Sequence, residues 1–297
     1  MLLLVSGDLK RRVQALEEAK QQSTSQGTTS HSSGGVAKGT QKVKRSKSAD
    51  RMMACRFEMK YLVSESKAAA MTQFMKPYIP MDRYCKLQRG GDYPIVSLYI
   101  DSEKLRLCRE SLEGHQNRFK LRIRSYTDEP DYPCFFEIKR RINTVIMKSR
   151  ARVMPRDVPG LLEGLPLPPQ NYNVDLKALS QFQLYAASIR ARPTILIRYL
   201  RQAYEGEGEG RVRVTFDRRL CYKVTHKPEV RLGGPGWQPN PFTVGQVILE
   251  IKFTGQFPPW LNRMVKYFDL KARAISKYAS SIEDSCLLRF CAPQLTA

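Results

Sequence analysis

From Cys55 onward, apolar and polar residues alternate with a period of two in eight short runs, at 56–63, 95–101, 117–125, 134–142, 144–153, 194–204, 211–221 and 247–254. Residues two apart in a β-strand share a face, so the alternation predicts strands with one apolar and one polar side. The polar side is unusual in kind. Five triplets place an apolar residue between two charged ones: Glu58-Met59-Lys60, Arg122-Ile123-Arg124, Glu137-Ile138-Lys139, Arg211-Val212-Arg213 and Glu250-Ile251-Lys252. Ser or Thr would serve on an ordinary solvated face, so the repeated use of Arg, Lys and Glu predicts one shared charged surface.

Helical spacing interrupts the strands at three places. Ser64 is placed to cap a helix with Met71, Phe74, Met75 and Tyr78 at spacings of three and four. Residues 175–190 form a second, and Trp260, Leu261, Met264, Val265 and Phe268, after Pro258-Pro259, mark a third whose apolar stripe is core packing. The Pro- and Gly-rich stretch 154–170 reads as a loop, as does the hairpin in which Gly206, Gly208 and Gly210 alternate with Glu. About eight mainly antiparallel strands with helices at the ends predict an α+β protein built on an antiparallel β-barrel or a strongly curved sheet, because closure removes exposed edges. A charged inner face then requires an aqueous lumen or a ligand that fills it, and helices on the outside would cover the outward apolar positions.

Composition sharpens this. The 297 residues are 42% hydrophobic, enough for a sizeable core, and carry 50 Lys and Arg against 28 Asp and Glu, a net charge of +22. Such a field attracts polyanions: nucleic acid, phosphate polymers, nucleotides or an anionic membrane surface. Ten of the basic and four of the acidic residues fall in the first 54, so most of the excess belongs to the body. The expected organisation is a disordered basic leader at 1–54 with a short helix over 8–20, a tunnel-type domain at 55–290 and a tail at 291–297. Met52 and Met53 precede the first strand, so the leader is either a genuine extension or a mis-called start.

Seven scattered cysteines, Cys55, Cys85, Cys108, Cys134, Cys221, Cys286 and Cys291, have no CxxC spacing, and this predicts reduced thiols rather than disulfides or a zinc site. His31, His115 and His226 are too dispersed for a metal centre, and His115 and His226 are expected at the surface. No apolar run reaches the roughly 18 residues of a membrane span, and the opening Met1-Leu2-Leu3-Leu4-Val5 is shorter than a signal-peptide core, so a soluble cytoplasmic protein is expected. No Ser-His-Asp set, P-loop or Gly-x-Gly-x-x-Gly is present.

Eight stretches, in order, carry a resemblance: 56–61 (RFEMKY), 97–101 (SLYID), 121–126 (LRIRSY), 136–139 (FEIK), 199–204 (YLRQAY), 213–217 (RVTFD), 250–253 (EIKF) and 276–278 (SKY). Each motif alone is weak, but the ordered set resembles the polyphosphate polymerase domain of the vacuolar transporter chaperone (VTC) type, within the triphosphate tunnel metalloenzymes. The resemblance implies an eight-stranded tunnel whose basic interior binds ATP and a growing phosphate chain. Lys60, Arg122, Arg124, Lys139, Arg201, Arg213 and Lys277 would grip phosphates, with Lys252 joining Arg122, Arg124, Lys139, Arg201 and Arg213 at the nucleotide. Glu250 would ligate Mn²⁺ or Mg²⁺. The implied reaction moves the terminal phosphoryl group of ATP onto polyphosphate. Fixed cations and a metal suit that chemistry, which asks for positioning and charge neutralisation rather than a protein nucleophile.

Departures carry weight too. Hydrolytic and cyclase relatives open on Glu-x-Glu-x-Lys, whereas Arg56 stands at the first of those positions and weakens a two-metal hydrolase reading. The chain shows neither the regulatory amino-terminal domain nor the membrane helices of eukaryotic relatives, so coupled translocation is not expected of this polypeptide alone and a separate membrane protein partner is left open. Rival readings are a triphosphatase or tripolyphosphatase of the same fold and a non-catalytic binder of polyphosphate or RNA, the latter on Arg strands interleaved with Tyr126, Tyr132 and Tyr222. Nucleic acid is not the expected partner. Glu137 reads as a salt-bridge partner, and Lys148, Arg150 and Arg152 either extend the lining or form an exposed strand face.

Overall fold

The computed structural model describes residues 56–143, 145–206 and 211–287, so the predicted leader, the tail and the tip of the Gly/Glu hairpin lie outside the described residues. In chain order the elements are β1 (Arg56–Ser64), α1 (Glu65–Met75), α2 (Arg83–Lys86), β2 (Tyr93–Asp101), α3 (Arg106–Leu112), β3 (Arg118–Ser125), β4 (Cys134–Ile142) and β5 (Val145–Val153). Then follow α4 (Val158–Leu162), α5 (Leu176–Ser188), β6 (Arg192–Glu205), β7 (Arg213–Val224), β8 (Gln238–Pro239), β9 (Gln246–Thr254), α6 (Pro259–Tyr267) and α7 (Lys277–Asp284).

The eight long strands form one antiparallel sheet in the order β1-β9-β7-β6-β2-β3-β4-β5, with the two-residue β8 added beside β7. Among the described pairings no backbone ladder joins β1 to β5, so the strongly curved sheet is left open between these two strands. Lys139 of β4 reaches across the lumen to within 3.4 Å of Glu58 on β1. The predicted alternation holds along the triplets, with Ile123, Ile138 and Ile251 outside and buried, and their charged neighbours inside. Arg211 is the exception. It lies before β7 and pairs with Glu205 near the surface.

Outside, α1 and α6 pack on β1, β7 and β9 through Ala68, Met71, Met75, Leu261 and Met264. Helices α4 and α5 cover β3, β4 and β5 through Val158, Leu161, Leu179 and Phe182. The local reasons were in the sequence. Ser64 caps α1 by accepting from the Lys67 amide at 3.2 Å, and Asp175 caps α5 by accepting from the Ala178 amide at 2.9 Å. The stretch 154–170 departs from its loop expectation, because Pro155 and Pro159 stand in the first turns of a 3₁₀ turn and of α4, where a missing N–H costs nothing.

Helix α7 departs further. Unlike the helices on the outside, it plugs one end of the barrel, where β1, β2, β4 and β7 finish. Its Tyr278, Ala279 and Ile282 join Ile195, Ile197, Leu220, Tyr222 and Ile248 in a buried cluster. Tyr222 is therefore core and offers no base-stacking surface. The plug is anchored by Asp101, whose buried carboxylate accepts from the Leu107 and Cys108 amides and, at 2.6 Å, from the Tyr278 hydroxyl. Tyr278→Phe should cost about 1–3 kcal/mol, the range for leaving a buried acceptor short of a donor. Urea unfolding measures it, and unchanged stability would refute the anchor.

Candidate functional site

The plug leaves the rest of the lumen polar, and the register decides which side chains meet there. Lys60 stands opposite Glu250, and Glu58 opposite Lys252, so two carboxylates and two lysines alternate across the β1–β9 pair. Glu58 lies 3.2 Å from Lys60, 3.4 Å from Lys139 and 3.9 Å from Lys252. Glu250 lies 2.7 Å from Lys252 and 3.7 Å from Arg201. Lysines and Arg201 surround the nearly buried Glu250 and hold its carboxyl well below the usual range against the upward push of burial, so it is ionised.

On β6 and β7, Arg201 makes a two-pronged contact with Asp217 at 2.7 and 2.8 Å, and Lys277, at the amino end of α7, reaches the same carboxylate at 2.7 Å. Asp217 is only 2% exposed, so this triad is a buried ionic hinge between the wall and the plug. On β3, Arg122 binds Glu137 at 2.6 Å, while Arg124 and Arg150 lie 4.0 and 3.3 Å from the same carboxylate. Glu137 is thus the salt-bridge partner expected of it, but inside the lumen. Burial pushes its carboxyl up, and the three guanidiniums win, bringing it to about 2. Arg124 also donates to the Ser97 hydroxyl at 3.2 Å.

Each of these carboxylates serves two or three cations, and some cations have none. Lys120, on β3, donates to Ser276 Oγ at 2.9 Å and has no carboxylate within ion-pair reach among the described residues. Lys148, on β5, likewise has none; it stands opposite Lys139 in the β4–β5 register and so shares the inward face of that lysine, where Lys252 and Arg122 also act on it. Loss of surrounding water and the neighbouring cations lower both lysines to about 8. Tyr99, stacked on Tyr278 at 4.6 Å, is raised by burial but brought down overall to about 8 by Arg122 and Arg124.

The structure therefore brings together Lys60, Arg122, Arg124, Lys139, Arg201, Lys252, Lys277 and Glu250 on one lumen. Arg213 sits to one side, held by Glu205 at 3.0 Å and Asp82 at 3.5 Å near the opposite mouth. Sequence reasoning missed Lys120, Asp217, Tyr99 and Thr215. The alternation itself pointed to the first, since Lys120, Arg122 and Arg124 share one strand face.

Thr215 bears on the metal. Its hydroxyl is buried without a hydrogen-bond partner among the described residues, and it faces Glu250 in the β7–β9 register. No group of three His, Cys, Asp or Glu able to cage an ion occurs among the described residues. The arrangement fits a hard cation held by Glu250, flanked by Thr215 and Glu58, with its remaining oxygens supplied by a phosphate ligand. The chemistry this surface favours is grip on a polyphosphate-like anion, with Arg forks for bidentate contact and lysines as point charges.

No curated protein matches the chain. Similar solved structures include a candidate adenylate cyclase of Bacillus halodurans at 14% identity and TM-score 0.40, covering 74% of this chain and 92% of that one. Another is a candidate adenylyl cyclase of Hippeastrum described as having a dominant triphosphatase activity, at 12% identity and TM-score 0.43, covering 78% and 96%. A third, from Pyrococcus horikoshii, shows 10% identity and TM-score 0.38, covering 77% and 99%. No described helix is long and apolar enough to cross a membrane. The VTC domain matches residues 55–285, which include every strand and every lumen side chain described above, and the chain belongs to the VTC domain family.

Proposed function

We propose that the protein is a metal-dependent polyphosphate polymerase that transfers the terminal phosphoryl group of ATP to an inorganic polyphosphate chain inside this lumen. The observation that carries the reading is the surplus of inward cations: beside Lys60, Lys139 and Lys252, neither Lys120 nor Lys148 has a carboxylate within ion-pair reach among the described residues. Like charges held together in a protein raise its free energy unless an anion joins them, so the lumen is prepared for a polyanion.

In this reading Arg122, Arg124 and Arg201 orient the phosphates of both reactants. Lys60, Lys139, Lys252 and Lys277 neutralise them. A terminal oxygen of the chain attacks the γ-phosphorus in line as the bond to the β–γ bridging oxygen breaks, and ADP leaves. The charge that builds on the bridging oxygen meets fixed cations that need no reorganisation. Mn²⁺ or Mg²⁺ held at Glu250, when bound, would add charge neutralisation on the phosphate oxygens.

The lysines supply a test. Only their protonated forms attract phosphate, and both stand at about 8, so affinity for tripolyphosphate should fall as pH rises from 7 to 9.5, by at least about tenfold on the scale of a charge-assisted contact. Calorimetric titration at the two pH values checks this. The ligand-free protein should respond in the opposite sense. Between about 8 and the ordinary 10.5 the unfolded chain binds more protons than the folded one, so the contribution of these lysines to stability rises with pH. Affinity that is flat or rises to pH 9.5 would contradict the proposed polyanion site.

A further inference from the structure

At the mouth opposite the α7 plug, where β2 begins and β3 ends, an aromatic ladder adjoins the phosphate cations. Tyr84, Tyr93, Tyr126 and Phe135 follow one another with ring centroids 6.4, 6.1 and 6.0 Å apart. Arginines reach the hydroxyls of its two middle rings. Arg213 donates to the Tyr93 hydroxyl at 3.4 Å, and Arg150 donates to the Tyr126 hydroxyl at 3.4 Å while lying 3.3 Å from Glu137, the partner of Arg122. Guanidinium groups already lie over two of the rings, Arg83 over Tyr84 at 4.7 Å and Arg150 over Phe135 at 3.5 Å. Tyr93 is core, but Tyr84 is 45% exposed and Tyr126 and Phe135 are half-buried, so the ladder presents ring surface at the mouth.

Phosphate recognition needs none of this. Rings have no charge to offer an inorganic anion, and a tunnel for polyphosphate alone would be served by more Lys and Arg. Aromatic faces beside guanidiniums suit a flat heterocycle, which stacks on the rings while the guanidiniums hold the phosphate attached to it. Arg150 touches both Tyr126 and Glu137, the partner of Arg122, so the rings adjoin the phosphate cations closely enough for one ligand to meet both.

We infer that the Tyr84–Tyr93–Tyr126–Phe135 ladder is the nucleobase subsite, so that the donor nucleotide enters base outermost at this mouth with its triphosphate directed inward. This rests on the proposed function, since it presumes that a nucleoside triphosphate is the donor. It assigns the mouth an orientation: the base stays at the ladder, and Tyr84, on the short α2, forms its outer wall.

Two ligands separate this subsite from the phosphate grip. ATP and tripolyphosphate share the phosphate chain and differ in the base, so each is titrated calorimetrically into the full chain with Mg²⁺ at pH 7. Stacking of one base is worth about 1–3 kcal/mol, or about fivefold to a hundredfold in affinity. Tyr84→Ala and Tyr126→Leu should each weaken ATP by several-fold or more and leave tripolyphosphate within twofold, and Tyr126→Phe, which keeps the ring, should retain ATP affinity. Equal losses for both ligands, or no loss for either, would overturn the subsite and leave the phosphate tunnel standing. A wild-type chain that binds neither ligand overturns the subsite and the proposed function together. Because tripolyphosphate binding reports a folded lumen, a variant that merely unfolds is recognised by losing both ligands and its thermal transition, and Tyr84→Leu then decides.

Discussion

Glu250→Gln should lower ATP-dependent phosphoryl transfer by about a thousandfold or more, while affinity for tripolyphosphate in the absence of metal stays the same or rises. The two halves of that expectation have different causes. Glu250 is the ionised carboxylate that faces the Thr215 hydroxyl, itself without a partner among the described residues, and is the proposed holder of the cation; losing a charge-stabilising group at a phosphoryl-transfer site costs on the order of 10² to 10³ in rate, and losing a metal costs more. Removing its negative charge also frees Lys252, now 2.7 Å away, to meet phosphate instead. A merely structural ion pair would behave otherwise, with binding and turnover falling together. Initial rates and calorimetry on the same variant tell the two apart, and turnover within tenfold of wild type would remove Glu250 from the metal assignment.

The largest effect on stability is expected at Asp217. Asp217→Ala leaves Arg201 and Lys277 facing each other in the interior with no anion between them, and breaking one side of a buried ion pair costs about 3–5 kcal/mol. For a domain of this size that corresponds to a fall of about 10 °C in Tm. The loss should be partly recovered by millimolar tripolyphosphate, because a phosphate can take the place of the missing carboxylate between the two cations. A melting point that drops by less than about 2 °C would show that the triad is not the hinge described. A drop that tripolyphosphate leaves unchanged would show that Arg201 and Lys277 are out of reach of the ligand.

Much of this was legible in the residues. The period-two alternation located the long strands to within a few positions, because each is buried on one face and must keep its register there. It also foretold the charged face, since Lys60, Arg122, Arg124, Lys139 and Glu250 occupy the positions that the pleat turns inward. What it could not supply was the third dimension. Lys139 meets Glu58 across 81 residues of sequence, and Lys120 meets Ser276 across 156, contacts fixed by how far the sheet curls and not by any local pattern. The position of α7 escaped for a related reason. Its apolar residues at helical spacing say that one side is buried, without saying whether the surface that covers them is the outside or the inside of a barrel. Arg213 was grouped with the phosphate cations by its motif; it stands opposite Lys252 in the β7–β9 register, and its ion pairs with Asp82 and Glu205 are contacts the motif did not announce. The short α2 and α3 and the two-residue β8 left no periodic signal long enough to detect, though Asp82 and Asp101 serve as their local anchors.

In the proposed reaction phosphate, and not water, receives the γ-phosphoryl group. Purified full-length protein incubated with ATP and Mn²⁺, and the products resolved on a urea gel, should yield a ladder of lengthening polyphosphate accompanied by ADP. Release of inorganic phosphate from ATP with no chains at any protein concentration would rule out the polymerase and leave a hydrolase in the same tunnel.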